Sequence, residues 1–390
     1  MKEQITISKM FRFICFGLIL IGIIALIYGF ISNPQRAWAN YLLNNFYFLS
    51  IAIGAAFFLA IQSISQSGWS SGLKRVPEAM MLYIPVVGIL LLFLIFGMPY
   101  LYHWTHPDTI AVKEIVTHKS PYLNIPFFFI RIIIFFLLWI ILIRLIRKAS
   151  IKEDTAGGLE SFQKTEKYSK IFIFVLAITF SLLGFDLLMS IDIKWFSTIY
   201  ALKNFIAAFL HGSATIYIIV IILNLFGYYS FLNKNHIHDF ARYIFIVSIF
   251  YGYFWFVQFM LIWYGNIPEE TIYYAVRWTP EWQKYWAADI ILNWTIPFFV
   301  LLPVNTSRNK WIVFGVAIIL LIGQWMDLFI EIFPGTVGHS EIGFIEIGSY
   351  LGFTGLFGYI TCINLSKAAL VPNKHPLIEE SYNHHFESYI

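Results

Sequence analysis

Ionisable side chains are concentrated in one apolar part of this sequence. The stretch FDLLMSIDIKWFSTIYALKNF, residues 185–205, follows an apolar run, yet it contains two acids, Asp186 and Asp192, and two bases, Lys194 and Lys203. A carboxyl group, an ammonium group and an imidazole can pass protons when burial favours their neutral forms. The candidate proton-pathway residues in and around this stretch are Asp186, Asp192, Lys203, His211, Asp327 and Glu78.

Two of these candidates share one side of a predicted helix. Lys203 and His211 are eight residues apart, so they lie about two helical turns from each other on nearly the same face. Together with Asp186, they could line a wet path from the outer surface to the middle of a membrane.

Aromatic side chains in the same stretch indicate a second kind of site. A quinone head group needs a hydrogen-bond donor or acceptor at each carbonyl, within an apolar and aromatic slot. The candidate quinone-pocket residues are Asp186, Phe185, Trp195 and Phe196.

Each charged residue also has a purely structural interpretation. Asp186 and Lys203 could form an ion pair that holds two helices together. Asp192 and Lys194 could cap a helix end at the water interface. Ionisable groups inside a bilayer cost roughly 2.5–3.5 kcal/mol each on insertion scales, so we expect them to face the protein interior, a partner or water.

The other candidates have structural alternatives as well. His211 could simply hydrogen-bond a neighbouring carbonyl. Glu78 could pair with Lys74 and Arg75, which precede it closely. Arg131 could reach a carboxylate of a neighbouring helical unit or of a partner chain.

The rest of the sequence must place these residues in a membrane. Of its 390 residues, 59% are hydrophobic and 12% are charged, and the mean hydropathy is +0.72. Soluble domains carry about 25% charged residues, and an apolar run of about 20 residues spans a bilayer. We predict an all-α polytopic membrane protein with ten transmembrane helices, at 11–31, 41–64, 77–101, 122–147, 170–190, 198–227, 240–264, 286–304, 309–331 and 342–364.

A weak internal repeat groups these helices. FDLLMSI (185–191) in the fifth helix resembles MDLFIEI (326–332) in the ninth. Parallel repeats related by an axis along the membrane normal are a known way to build membrane proteins. We predict two parallel-related four-helix bundles (helices 2–5 and 6–9) plus two further helices. The segments are a first helix with its outer loop, two bundles, a tenth helix and a cytoplasmic tail, at 1–40, 41–190, 198–331, 342–364 and 365–390.

Charge asymmetry predicts the orientation of the chain. Most of the Lys and Arg residues fall on one side of the ten predicted helices. The positive-inside rule then places both termini in the cytoplasm. The net charge of +4 is small and gives no reason to expect nucleic acid as a partner.

The sequence lacks the usual ligand motifs of redox metals. Its two cysteines, Cys15 and Cys362, lie in apolar runs, and there is no CxxC or CxxCH. A b-type haem would need two facing axial ligands, and His211 is the one histidine well inside a predicted helix. We therefore expect this chain to contain no metal site and to bind no metal cofactor.

Five segments carry a family resemblance. They are SGWSSGLKRVPEAM (67–80), DLLMSIDIKWFSTIYA (186–201), FMLIWYGNIPEETIYY (259–274), DIILNWTIPFF (289–299) and GQWMDLFIEIFP (323–334). In order and spacing they resemble the NrfD-like integral membrane subunits, and among these the subunits of bacterial alternative complex III. Two positions depart from that pattern: Ile193-Lys194 replaces Pro-His, and Asn293-Trp294 replaces the histidine before the next Pro-Phe. Both departures remove an imidazole, which argues against quinol oxidation on this chain itself.

The resemblance implies a membrane subunit of a quinol:cytochrome c, or other electron-carrier, oxidoreductase of the respiratory chain. It implies the bacterial inner (cytoplasmic) membrane, and a role as scaffold, proton pathway or quinone-facing surface. The implied quinone is menaquinone or ubiquinone. The implied partners are the lipid bilayer, a paralogous NrfD-like subunit, and iron–sulfur and c-type haem subunits, with a terminal oxidase as a further candidate.

Two other functions stay open at this point. A proton-coupled secondary transporter would use the same intramembrane acids, lysine and histidine. Transporters often have helices broken at matching positions of two halves, whereas the matched Pro99 and Pro268 are expected to end helices. A purely structural membrane anchor would hold every charge in a static pair.

Overall fold

Helices dominate the architecture. The computed structural model describes residues 4–106 and 113–385. Residues 1–3 of the predicted first segment and residues 386–390 of the predicted tail lie outside this range. Helices make up 81% of the structure, and no strand occurs in the described part. The prediction of an all-α protein is therefore confirmed.

Most of the main helices are joined by short connections, and the longest connection runs from Phe96 to Ile125. In chain order they are α1 (Lys9–Ser32), α2 (Pro34–Ile64), α3 (Ser71–Phe96), α4 (Ile125–Ala156), α5 (Leu159–Leu187), α6 (Thr198–Leu225), α7 (Lys234–Gly265), α8 (Pro268–Arg277), α9 (Pro280–Ile290), α10 (Ile296–Leu301), α11 (Lys310–Ile332) and α12 (Phe344–Ser366). Within the described residues, α1 to α7 and α11 are long and apolar enough to cross a membrane, eight helices in all. This is the pattern of a multi-pass membrane protein.

Two of the ten predicted spans fall outside these eight. The eighth is divided into α9, a π-helical turn at Ile291–Thr295, and α10. Pro297 has no N–H to donate to the carbonyl of Asn293, so a regular α-helix cannot continue through this point. The tenth corresponds to α12, which is long but rich in glycine. The ten-helix count and the pair of four-helix bundles stay predictions.

Glycines on α12 allow a close contact with α1. A Cβ added at Gly22 would lie 2.4 Å from the Cα of Gly352, so a side chain at either position would force the helices apart. Small residues permit this kind of helix approach in membranes. α1 buries only 22% of its apolar window, so most of its surface faces away from the protein.

The centre of the protein is formed by α2 and α6. A Cβ added at Gly54 would lie 1.9 Å from the carbonyl oxygen of Ala208, and Gly212 meets the same stretch of α2. These two helices bury 78% and 83% of their apolar windows, more than any other long helix. The polar side chains on α2 and α6 are therefore shielded by the surrounding helices.

The helix ends form two faces, which we call the basic end and the far end. The basic end contains the connections from α2 to α3, α4 to α5, α6 to α7 and α10 to α11. Residues 366–385 lie across it, as three hydrogen bonds show: Ser381 Oγ to Trp69 O (2.8 Å), Lys374 Nζ to Thr155 O (2.9 Å) and Asn233 Nδ2 to His384 O (2.9 Å). The far end contains the start of α2, the segment after α5, and α8.

Candidate functional site

A buried lysine near the far end binds two carboxylates. Lys203 on α6 donates to Glu331 Oε1 at 2.6 Å and also contacts Asp327 Oδ1. Both acids lie on α11, one helical turn apart. The alternative pairing of Lys203 with Asp186 is wrong, because α11 and not α5 faces this side of α6.

A third carboxyl group completes this site and was missed in the sequence. Asp289 on α9 accepts hydrogen bonds from the Tyr251 hydroxyl (2.9 Å) and from Asn293 Nδ2 (2.7 Å). The Asn293 oxygen in turn accepts from Gln324 Nε2 at 3.0 Å. The π-helical turn contains Asn293, so the irregular backbone is adjacent to the site. Asp289 could have been recognised in the sequence as a lone acid immediately before the apolar run IILNW.

We call Lys203, Asp289, Asp327 and Glu331 the lysine cluster. All four are buried, and they line a cavity of about 30 Å³, large enough for a water molecule. Glu331 Oε2 also accepts from the Tyr200 hydroxyl at 2.9 Å. Three carboxyl groups surround one ammonium group, so full ionisation would leave two negative charges without a cation. Uncompensated charge in a buried site is expensive, and taking up protons relieves it.

Arg277 on α8 separates the lysine cluster from the far-end surface. Its guanidinium donates to the carbonyls of Ile330 (3.0 Å) and Glu331 (2.9 Å) and to Asp192 Oδ2 (2.8 Å). Asp192 ends a short helical turn, which agrees with the capping role expected from the sequence, and its ionic partner is Arg277. The Arg277–Asp192 pair therefore links the backbone beside the cluster to a partly exposed carboxylate.

A cavity of about 410 Å³ opens at the far end beside this pair. Three of the four predicted quinone-pocket residues line it, together with polar side chains. The lining includes Phe185, Trp195, Phe196, Tyr122, Asp192 and Lys119. Trp195 stacks on Tyr273 of α8 with ring centroids 3.9 Å apart, and its buried indole Nε1 has no hydrogen-bond partner among the described residues. The cavity thus offers aromatic walls and a carboxylate acceptor.

Asp186, the fourth predicted pocket residue, does not line the cavity. It is fully buried and accepts two hydrogen bonds of 2.8 Å from Arg131 on α4. The Tyr122 ring, part of the cavity wall, lies 3.9 Å from the Arg131 guanidinium carbon. The carboxylate that Arg131 reaches is therefore on the adjacent α5 of the same chain, and the pair lies behind the cavity wall.

His211 lies in the buried centre, away from the lysine cluster. Its ring packs edge-on against Tyr47 of α2 with centroids 4.1 Å apart. No hydrogen bond joins His211 to Lys203 in the part of the chain that the structure describes. Several buried polar atoms nearby lack protein partners there: Nε2 of His211, Oδ1 of Asn44 and Asn45, both side-chain atoms of Asn204, and Oγ of Ser213. Such atoms are typical partners of internal water.

A second buried charge cluster lies at the basic end. Glu78 accepts from Arg75 Nη1 (2.7 Å) and also from Arg147 and Ser150 of α4. Of the two partners expected for Glu78, Arg75 is confirmed, whereas Lys74 donates to Glu153 at 2.6 Å. Arg75 further contacts Asp154. The basic-end cluster consists of Lys74, Arg75, Arg147, Glu78, Glu153 and Asp154, so its charges balance.

Glu346 forms a smaller network at the far end. It accepts two hydrogen bonds from Arg36 (2.7 and 2.8 Å) and one from Asn40 (2.8 Å), which joins α12 to α2. No group of three or more His, Cys, Asp or Glu side chains is arranged to hold a metal ion in residues 4–106 and 113–385.

Comparison with known proteins gives no family for this chain. No protein-family model matches it, and no curated protein matches it at a significant level. The resemblance to NrfD-like subunits therefore depends on the five segments described above and stays a prediction.

Proposed function

We propose that this chain is a membrane subunit of a quinol-oxidising respiratory complex, and that the lysine cluster is its proton-exchange site. The observation that supports this most directly is the excess of carboxyl groups over cations in a buried site. In this proposal the chain has ten transmembrane helices in two four-helix bundles with two further helices, and both termini are cytoplasmic.

The proposed proton route has two parts. Protons enter or leave at the far end, past the Asp192–Arg277 pair, and are held on the carboxyl groups of the lysine cluster. From there, water bound to the unpartnered polar atoms near Asn204 and His211 would carry them towards the middle of the membrane. Proton transfer from the lysine cluster to His211 needs water, since no direct hydrogen bond links the two in the described residues.

The far-end cavity is the proposed quinone-facing surface. Menaquinone or ubiquinone could place its ring against Trp195 and Phe196, with the Lys119 ammonium as a donor to a carbonyl. Asp192 could accept a hydrogen bond from a quinol hydroxyl. A volume of about 410 Å³ is within the range of small-molecule sites. A quinone supplies two-electron redox chemistry when bound, and iron–sulfur and c-type haem partner subunits would carry the electrons onward.

The proposal is tested by purifying the tagged protein gently in mild detergent. We expect c-type haem bands in the optical spectrum, iron in the sample and quinol oxidation by the assembled complex. The variant Asp289→Asn should assemble normally but lose most of its turnover. The matched control is Glu341→Gln, which alters an exposed acid at the far end. A colourless preparation without partners would contradict the assignment to such a complex, and normal turnover of Asp289→Asn would favour a structural anchor.

One observation favours a second function, a proton-coupled secondary transporter. The π-helical turn at Ile291–Thr295 interrupts a helix beside the lysine cluster, and transporters build their sites from interrupted helices. Liposomes containing this chain alone, with an imposed pH gradient, would then accumulate a substrate. Uptake that is lost in Asp289→Asn would support the transporter. If the pH gradient drives no uptake of any solute class tested, the transporter function is contradicted.

A further inference from the structure

Two consecutive side chains of the π-helical turn at Ile291–Thr295 each lie against a glycine of a neighbouring helix. A Cβ added at Gly323 of α11 would lie 2.5 Å from Asn293 Oδ1 and 2.9 Å from its Nδ2. A Cβ added at Gly252 of α7 would lie 2.5 Å from Cδ1 of the Trp294 ring. Real Cβ atoms do not come this close to other atoms, so each glycine leaves the space that one of these side chains occupies. The turn is therefore fixed from two sides.

The residue next to each of these glycines donates a hydrogen bond to the same region. Tyr251, which precedes the glycine of α7, donates its hydroxyl to Asp289 Oδ1 at 2.9 Å. Gln324, which follows the glycine of α11, donates to Asn293 Oδ1 at 3.0 Å. Asn293 Nδ2 donates to Asp289 Oδ1 at 2.7 Å. All four side chains are buried, so bulk water does not compete for these hydrogen bonds.

These hydrogen bonds place the two oxygens of the Asp289 carboxyl group in different surroundings. Oδ1 accepts from both Tyr251 and Asn293, whereas Oδ2 accepts no hydrogen bond from residues 4–106 and 113–385. A carboxylate oxygen has two lone pairs, and an amide N–H can only donate. Both lone pairs of Oδ1 are therefore in use, while those of Oδ2 are available to a proton. Asp289 also lines the cavity of the lysine cluster, where water fits.

We propose that Tyr251 and Asn293 are positioning residues, which keep Oδ1 of Asp289 as a hydrogen-bond acceptor and direct the exchangeable proton to Oδ2. Gly252 and Gly323 contribute by leaving room for the π-helical turn that carries the amide. A proton from cavity water binds a lone pair of Oδ2, which makes the carboxyl group neutral, and it returns to water when that O–H bond breaks. This inference rests on the proton exchange proposed above and adds the atom that holds the proton.

The test uses the infrared carbonyl band that is present in the wild type and absent from Asp289→Asn at neutral pH, which we call the Asp289 band. A carbonyl group that accepts hydrogen bonds absorbs at lower frequency, so the loss of a donor to Oδ1 should shift this band to higher frequency. Tyr251→Phe removes one such donor, and we expect the upward shift. Tyr253→Phe on the same helix is the matched control, because this side chain is 56% exposed, and it should leave the band in place.

A second pair of variants tests the contribution of the glycine on α11. In Gly323→Ala the added methyl group displaces the Asn293 amide from Asp289 Oδ1, so the Asp289 band should again move to higher frequency. Gly315→Ala on the same helix is the matched control, because a Cβ there meets no atom within 4 Å. Thermal unfolding in detergent identifies any variant that fails to fold. The Tyr251→Phe result then decides alone, since this change removes a single oxygen atom.

The result separates the positioning inference from the function on which it rests. An Asp289 band that is present in the wild type but keeps its frequency in Tyr251→Phe would overturn the positioning inference, while proton exchange at the lysine cluster would stand. A shift in Tyr251→Phe and not in Tyr253→Phe would support the inference. A wild-type spectrum without the Asp289 band would contradict both the inference and the proposed proton exchange.

Discussion

The two buried charge clusters differ in their balance. The basic-end cluster pairs three cations with three carboxylates, whereas the lysine cluster gives three carboxyl groups one cation. In the first, every charge has an opposite partner, so no proton needs to move. In the second, the negative charge can be relieved only by protons or by a bound cation. The comparison separates a cluster suited to joining helices from one suited to proton exchange.

The largest expected effect is the loss of the central acid of the basic-end cluster. Glu78→Gln leaves Arg147 buried without its carboxylate and leaves Arg75 with Asp154 alone. Removing one partner of a buried ion pair typically costs about 3–5 kcal/mol, so the variant should unfold at much lower temperature or fail to accumulate. Thermal unfolding in detergent checks this, with the exposed Glu160→Gln as control. Stability equal to that of the control would show that this cluster does not hold α3 to α4.

A smaller and pH-dependent effect is expected for Lys203→Met. Removing the ammonium leaves the carboxylates of Asp327 and Glu331 without their cation. These carboxylates can be neutralised by taking up protons, whereas the arginines left in Glu78→Gln cannot lose their charge. We expect a cost of about 1–3 kcal/mol at neutral pH that shrinks as the pH is lowered. The free energy of unfolding of Glu78→Gln should show no such recovery. The same pH dependence in both variants would remove the distinction between the clusters.

Many features of the fold could be predicted from the sequence, but the pairings could not. Long apolar runs were enough to place the eight membrane-crossing candidates, because length and hydropathy are local properties. Which face of a helix meets which neighbour depends on helix rotation. Asp186 and Lys203 are close in sequence, yet their partners are Arg131 and the two acids of α11. Asp289 escaped notice because its role depends on the π-helical turn that follows it.

The C-terminal segment adds a pH dependence at the basic end. His375 faces Glu153 at 3.7 Å, its Nδ1 accepts from the Leu377 N–H, and Lys74, Arg75 and Glu78 lie nearby. Burial and the Lys74 charge lower the pKa of His375 to about 3, below about 6.5 in an unfolded chain. The folded state therefore binds fewer protons between these values, and stability is lost as the pH falls from about 6.5 towards 3.

Hydrogen exchange of residues 366–385 measures this effect. After each rate is divided by the intrinsic exchange rate at its pH, we expect less protection at about pH 5 than at neutral pH. In His375→Gln the difference between the two conditions should be smaller, because the titrating group is gone. If the variant retains the full difference, another group controls the docking of the segment.

The smallest expected effect concerns the ion pair that covers the lysine cluster. Asp192→Asn removes a carboxylate whose side chain is 24% exposed, and Arg277 keeps its three backbone carbonyl acceptors. We expect a cost of about 1 kcal/mol in unfolding free energy. Lys194→Gln should have no effect, since Lys194 is exposed and Arg277 supplies the charge. A larger effect of Lys194→Gln than of Asp192→Asn would contradict the assignment of Arg277 as the partner of Asp192.

The central claim is that the lysine cluster holds at least one transferable proton. The most direct measurement is the infrared carbonyl band of protonated carboxyl groups in the purified protein at neutral pH, with its shift in heavy water. We predict that the band is present in the wild type and in Glu341→Gln and that it loses intensity in Asp289→Asn. A wild-type spectrum without the band, or an unchanged band in Asp289→Asn, would contradict the account.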